Sequence, residues 1–357
     1  MKPVKVLFLL PYPLHKAPSQ RFRIEAYFPL LKEGNIEVHT QVFLNEGGWN
    51  VLYKNGSLLQ KAMAVVKGFA KRWQAAIFLV HKYDFVVVHR EAAPLGPPLF
   101  EWIISRVWKR KMIFDFDDAI WIPAISEQNK MAALVKCFWK TKWICKWSYK
   151  IAVGNEYLAG YASQYNSNIT LVPTSVDTVN RYHSLVNQDV LKPSIGWTGS
   201  HSTLKYLDVI VPVLQRLEKQ YDFYFYVICN KEPSFQLHSL KYIEWKELTE
   251  IDDLKKINIG VMPLEADAWS EGKCGFKIIQ YLALGIPAVA SPVGVNKKII
   301  NEKNGFLCAS GEDWYKALSA LLSNSLLREE MGKAGREKIV KEYSVQANAD
   351  LFLALFK

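Results

Sequence analysis

Glu265–Asn296 reads EADAWSEGKCGFKIIQYLALGIPAVASPVGVN, and it decides the fold. Phe276–Leu284 has helical spacing, Gly285 ends the helix, Pro287 opens the next segment, and Ala288–Ala290 is a short apolar strand. A helix feeding a fully apolar strand through a tight turn is the unit of a parallel sheet covered by helices. Just upstream, Gly272 and Gly275 surround Lys273, and Lys277 lies in the first helical turn. Helix amides, the helix dipole and ammonium groups together make a phosphate site. The same spacing also fits a plain helix start with a solvated lysine.

The alternation extends in both directions. Downstream, the spacing predicts helices over Trp314–Leu322, Leu326–Tyr343 and Val345–Phe356. Upstream it predicts strands at Ser194–Trp197, Phe223–Cys229, Tyr242–Glu244 and Ile257–Met262, with helices over Thr203–Gln220 and Leu248–Lys256. A polar stretch lies between Val172 and Pro193. Before it come apolar runs at Val4–Leu10, Val38–Phe43, Phe85–His89, Lys111–Phe116, Ile151–Val153 and Ile169–Val172. The expected architecture is α/β, with two doubly wound Rossmann-like domains facing across a cleft, ligands sitting outside the carboxyl ends of the strands. The expected boundaries are a first, acceptor-side domain over 1–175, a linker over 176–192, a donor domain over 193–342, and a terminal helix over 343–357 able to pack back on the first domain.

Composition narrows the classes. The 357 residues exceed one ordinary core, and with half of them hydrophobic and Gly and Pro scattered, disordered and collagen-like chains are excluded. Of the net charge of +11, residues 1–150 hold +12, with 23 Lys and Arg against 11 Asp and Glu, and they also hold eight of the twelve Trp. That asymmetry suggests an anionic partner for the first half: a membrane surface, a nucleic acid or an acidic substrate. Five scattered cysteines, none in a C-x-x-C pair, support neither a disulfide framework nor a zinc site. The opening MKPVKVLFLLPYPLHK reads as a buried strand, no apolar run is long enough to span a bilayer, and a reducing cytoplasm is the expected compartment.

Gln280-Tyr281-Leu282-Ala283-Leu284-Gly285-Ile286-Pro287-Ala288-Val289 resembles the E-A-M-A-x-G-x-P-V-V run of retaining GT-B glycosyltransferases of family 4, or group 1. Met1–Leu31, Asn304-Gly305-Phe306-Leu307 and Gly332–Tyr343 are similar to that family's opening strand and loop, its N-G-F-L turn and its late helix. The resemblance implies a nucleotide-sugar donor as substrate, no cofactor, no metal, and a departing phosphate that itself helps take the acceptor proton. It implies donor contacts from Gly275, Lys277 and Gln280, the last standing where the family has a ribose-binding glutamate. The family's first glutamate, for the donor sugar, falls on Gly272 here, with Glu271 one place off. In the loop Gly196–Lys205, Gly199, Ser200 and Lys205 stand where the family neutralises the diphosphate, and the family's arginine is absent. A capped strand-to-helix loop is the alternative.

In the first domain, the opening loop carries Ser19, Arg21 and Arg23 in place of a glycine pair, and one of the two arginines is expected to hold the leaving diphosphate while the other is a surface charge. Asp117-Asp118 stands where the family has a His-Asp pair, and one carboxylate is a candidate for hydrogen bonding to substrate hydroxyls or for a cap. His89, before Arg90 and Glu91, is the other catalytic candidate. Asp115 and Asp117 form a D-x-D that would serve a metal in other glycosyltransferases.

Lys130–Lys150 carries six Lys and no acid. At about 100° per residue, Trp139, Trp143, Trp147, Lys136, Lys140, Lys146 and Lys150 share one face, with Leu134, Cys137, Phe138, Thr141, Ile144 and Cys145 opposite. Exposed Trp mixed with Lys is the composition of a contact with anionic lipid headgroups. The sequence thus predicts a peripheral enzyme on the inner face of the plasma membrane, moving a sugar to a lipid-linked or envelope glycan such as lipopolysaccharide or capsule. Alternatives are a non-hydrolysing nucleotide-sugar epimerase, a catalytically silent binding protein and, explaining the charge alone, a nucleic-acid binder.

Overall fold

The computed structural model describes residues 2–52, 56–123 and 135–357; Lys130 and Leu134 lie outside the described residues. The chain divides into two compact units, one of residues 1–174 with 348–357 and the other of residues 175–347.

The first unit is a six-stranded parallel sheet of β1 (Val4–Leu10), β2 (Ile36–Val42), β3 (Phe85–His89), β4 (Lys111–Phe116), β5 (Lys150–Val153) and β6 (Ile169–Leu171), in the order β2-β1-β3-β4-β5-β6. All of Val6–Leu10 and Phe85–His89 is buried, as expected for strands covered by helices on both faces. The C-terminal segment completes this unit. Phe352 stacks on Tyr27 with centroids 4.1 Å apart, and Lys150 Nζ donates to the Ala354 carbonyl at 2.6 Å.

The second unit holds β7 (Ser194–Gly199), β8 (Tyr224–Cys229), β9 (Leu240–Glu244), β10 (Ile259–Met262), β11 (Ala288–Ala290) and β12 (Gly305–Leu307), all parallel, in the order β12-β11-β10-β7-β8-β9. The stretch 176–192, read as a linker, is instead part of this unit: Val176 bridges to Ser344, and buried Gln188 donates to the Gly285 carbonyl at 3.1 Å. Asn-Gly-Phe-Leu, read as a turn, supplies β12. The helix expected over 203–220 is broken into a 3₁₀ segment, His201–Val209, and a helix, Val211–Leu217. Pro212 has no amide proton to continue the ladder, and it sits in the first turn of the second piece.

Each sheet reverses its direction of growth once, between β1 and β3 in the first unit and between β7 and β10 in the second. The carboxyl ends of those strands are where a doubly wound sheet leaves a crevice for ligands.

Candidate active site

At the end of β1 the chain folds around Gln20, whose side chain accepts from the Tyr12 amide at 3.2 Å and donates to Pro13 and, at 2.7 Å, to Glu25. This turns Pro18–Arg23 back over the sheet. Arg23 is buried, not a surface charge: it pairs with Asp115 and donates to the Val172 carbonyl. Arg21 is also buried, its guanidinium 5.0 Å from the centre of the Phe22 ring.

Asp115 gathers a relay at the end of β4. Its second oxygen meets His89 Nδ1 at 2.7 Å, and His89 Nε2 meets Ser19 Oγ at 2.9 Å. With Asp115 ionised, Nδ1 donates and Nε2 is left to accept the Ser19 hydroxyl proton. Ser19 Oγ in turn accepts from Arg90 Nε at 3.1 Å. His89 is fully buried, so its reach to a ligand passes through Ser19. Burial alone would raise the Asp115 carboxyl, but the Arg23 charge and the His89 bond outweigh it and hold it below the ordinary carboxylate range.

Asp117 and Asp118 are both bound by Arg90, whose NH2 lies 2.7 Å from Asp117 and 2.6 Å from Asp118. Arg90 has φ +62°, a left-handed backbone that a non-glycine residue adopts at some cost, here offset by two charge-assisted contacts. Burial pushes Asp117 up, and Arg90 ahead of His89 and Arg23 overcomes this, leaving the group strongly acidic. The two aspartates are thus not helix caps but the carboxylates of a fork centred on Arg90. Asp115 and Asp117 of the D-x-D serve different arginines. Among the described residues, no group of three or more His, Cys, Asp or Glu side chains is placed to hold a metal. Tyr12, overlooked in the sequence, joins this site: burial raises its phenol, and the Arg90 charge opposes that.

In the second unit, three lysines stand by the rings of β7 and of the 3₁₀ segment that follows it. Lys277 Nζ stands 5.5 Å from the Trp197 ring centre, Lys205 stands 5.1 Å from the Tyr206 ring, and Lys273 lies 6.0 Å from the same ring. Burial pushes the Cys229 thiol at the end of β8 up, and the Lys277 charge is among those that oppose it. Gly275 caps the Phe276–Ala283 helix at φ +66°, where a side chain would in addition meet Ile299 at 2.3 Å, so glycine is required there. Gly199 leads into Ser200, whose hydroxyl meets Ser202 at 2.9 Å. Glu271 lies half-buried at the end of the short helix Ala268–Glu271, just before Gly272. Lys273 lacked a family counterpart in the sequence, but its ring contacts place it beside Lys205.

Gln280 departs from expectation. It is buried and its amide donates at 2.8 Å to the hydroxyl of Tyr182, itself fully buried, so its side chain fastens the segment 175–192 to the helix rather than standing open to a ribose. Gln280→Ala is therefore expected to destabilise the second unit by about 1–3 kcal/mol through loss of the buried Gln280–Tyr182 hydrogen bond, and to leave donor affinity unchanged. Urea unfolding and donor titration of the same variant check this; a weakened donor with unaltered unfolding would restore the ribose role.

The basic Trp segment also changes. Val135 and Lys136 are helical, Cys137 at φ +53° interrupts the phase, and a new helix starts at Lys140, so one wheel cannot span the segment. Lys140 is buried, donating to the Ala93 carbonyl and pairing with Glu91, both at 2.8 Å. Lys150 begins β5 and bonds the C-terminal segment instead of sharing a helix face. Thr141, Ile144 and Cys145 are buried as expected. Trp139, Trp143 and Trp147 line an apolar groove of about 280 Å³ with Pro97, Leu99 and Trp102, and Lys136, Lys142 and Lys146 remain exposed.

Two parallel doubly wound units with these strand orders are the GT-B glycosyltransferase fold. Residues 192–324, which carry β7 to β12, match the family described as glycosyl transferases group 1. No curated protein matches the chain by sequence. Among solved structures, the chain is similar to sucrose-phosphate synthase from Thermosynechococcus elongatus (TM-score 0.70, 14% identity, 99% of this chain and 98% of that one). It is similar to a glycosyltransferase from Rickettsia africae (TM-score 0.70, 16% identity, 100% and 98%) and to HepE of Anabaena in complex with UDP-glucose (TM-score 0.68, 12% identity, 99% of both chains). These likenesses carry the fold over the whole length, and the family match carries the resemblance in the second unit.

Proposed function

We propose that the protein is a retaining glycosyltransferase that takes a sugar from a nucleotide-sugar donor and places it on a lipid-linked or cell-envelope glycan at a membrane surface. The observation that carries this is that Lys205 and Lys273 share the Tyr206 ring while Lys277, in the first turn of the Gly275-capped helix, stands by Trp197 of β7, all inside the segment that matches the group 1 family. Cations and a helix N-terminus at a sheet's switch point suit a diphosphate. HepE, of the same fold, is described with UDP-glucose. Within the first unit, Ser19, oriented by His89 and Arg90, Asp117, held ionised chiefly by Arg90, and Asp118, paired with the same guanidinium, are hydroxyl and carboxylate groups suited to bonding sugar hydroxyls. In this reading the departing phosphate takes the acceptor proton, and His89 is a positioning residue.

Neutralisation by lysines makes a metal unnecessary, so transfer should persist in EDTA. Turnover that is lost on chelation and restored by manganese would turn the reading toward Asp115 and Asp117 as ligands. Product analysis with a purified donor tests the function itself: a glycosylated acceptor with retained anomeric configuration supports it, and conversion of the donor alone to an epimer would replace it. Trp139, Trp143, Trp147, Lys136 and Lys146 form the proposed contact with anionic lipid, where the acceptor is held.

A further inference from the structure

The longest helix of the first unit, Leu58–Phe78, has its apolar side outward. Leu58 is 80% exposed, Leu59 79% and Val66 61%, and Met63, Trp73 and Ile77 are exposed with them. At about 100° per residue these six residues, with exposed Ala62 and Ala70, fill one continuous face of the helix. The opposite face is the attached one. Gly68 lets the helix approach Phe43, whose ring a side chain there would meet at 2.5 Å, and buried Arg72 donates to the carbonyls of Leu10, Gln41 and Ala92 at 2.6–2.7 Å. Trp73 meets Phe100 edge-on, and Trp108 Nε1 bonds the Ala76 carbonyl. The helix is therefore fixed by Gly68, Arg72 and Ala76, with Trp73 at the edge of the exposed face, and its uncovered face is not one awaiting a core.

Such a face, about 31 Å long for 21 residues at 1.5 Å each, exceeds the scattered apolar exposure of an ordinary surface. The helix itself is of one sign, and the exposed Glu46 of the packed segment Glu46–Leu52 is met by Lys16 at 3.7 Å. No acidic residue occurs in Leu58–Phe78, while Lys67 and Lys71 border the face, and exposed Arg106, Lys109, Lys136, Lys142 and Lys146 lie on the neighbouring segments. Leu99–Trp102 touches this helix on one side and Lys140–Trp147 on the other, so the face continues into the Trp groove. No helix among the described residues is long and apolar enough to cross a membrane. A helix with an apolar face, a basic border and no acid lies in the plane of an anionic bilayer.

We propose that Leu58–Phe78 is an in-plane membrane helix, and that its outward apolar face is the principal lipid contact of this unit, with the Trp139/Trp143/Trp147 groove at its margin. This rests on the membrane-held acceptor of the proposed function and deepens it by naming the surface.

The test is cosedimentation of the full chain with vesicles of phosphatidylglycerol and phosphatidylcholine in equal parts, at low and high salt. Binding that largely survives high salt is expected for the wild-type protein. The triple variant Leu59→Glu, Val66→Glu and Ile77→Glu changes only exposed side chains, and its thermal midpoint reports that it is folded. It should bind about tenfold or more weakly at both salt concentrations. Lys67→Gln with Lys71→Gln should remove only the salt-sensitive part, and Trp139→Ala with Trp143→Ala and Trp147→Ala should weaken binding less than the triple glutamate variant does. No wild-type binding, or equal binding by the glutamate variant, overturns the proposal. So does a lipid-free dimer that the glutamate variant converts to monomer, since the face is then covered by a second copy. Vesicle binding is scored without a transfer assay, so its outcome and that of the transferase reading are separate.

Discussion

Arg23→Met is expected to lower the stability of the first unit by about 3–5 kcal/mol, because it leaves the buried Asp115 carboxylate facing His89 alone. The pair joins residues 92 positions apart in the interior, where Arg23 also closes onto Val172 near the unit's last strand. Eight of the twelve Trp lie in residues 1–150, so urea unfolding followed by Trp fluorescence reports mainly on this unit. Replacing both partners, Arg23→Met with Asp115→Leu, should recover part of the loss, since the penalty of a single replacement is largely that of an uncompensated charge. A wild-type unfolding curve for Arg23→Met would mean that the pair contributes nothing to the fold. The acid limb follows from the same charges. Asp115 and Asp117 are held below the unfolded carboxyl value of about 3.9, so their contribution is fully present above that value and is lost as pH falls toward their folded values. Asp115→Asn should flatten the decline of stability below about pH 4, while lowering the plateau at neutral pH.

That pair also marks what the sequence could not show. Strands β1, β3 and β4 are legible to the residue because strands buried on both faces are rich in Val, Ile, Leu and Phe, and the short β11 is legible from the Gly285–Pro287 turn before it. Arg21 and Arg23 in the loop after β1 were legible as unusual, but which acid meets which base is fixed by the order in which strands assemble, and no local spacing carries it. The Leu58–Phe78 helix is illegible for the opposite reason: its apolar residues face outward, so their periodicity points to no core. Lys140 leaves the face that a single helical wheel gives it because the left-handed backbone of Cys137 resets the phase. Gln280 shows the limit of a motif: the alignment with the family run was visible in sequence, but the Tyr182 hydroxyl that occupies its amide comes from a segment 98 residues upstream.

Lys277→Ala is expected to reduce kcat/KM for transfer by about 10²–10³-fold, the size of losing one preorganised partner of developing charge. The leaving diphosphate gains negative charge as the glycosidic bond breaks, and a cation fixed beside it stabilises that state more than the ground state. Lys277 is suited to this role by its half-buried position against Trp197 at the end of β7, in the first turn of the Gly275-capped helix, where its charge and the helix dipole add. Lys205 is exposed, so water screens it, and Lys205→Ala should lose only about tenfold. Stability should barely change in either variant, because a cation near a ring at a partly exposed site contributes about 0.5–1 kcal/mol. The measurement is kcat/KM and inhibition by the matching nucleoside diphosphate, for the donor that stabilises the wild-type protein most in a thermal-shift screen. Lys277→Arg should restore a substantial part of the activity if charge is what matters. Wild-type turnover by Lys277→Ala would remove the residue from the donor site and leave Lys273, the remaining lysine at the Tyr206 ring, as the group to replace next.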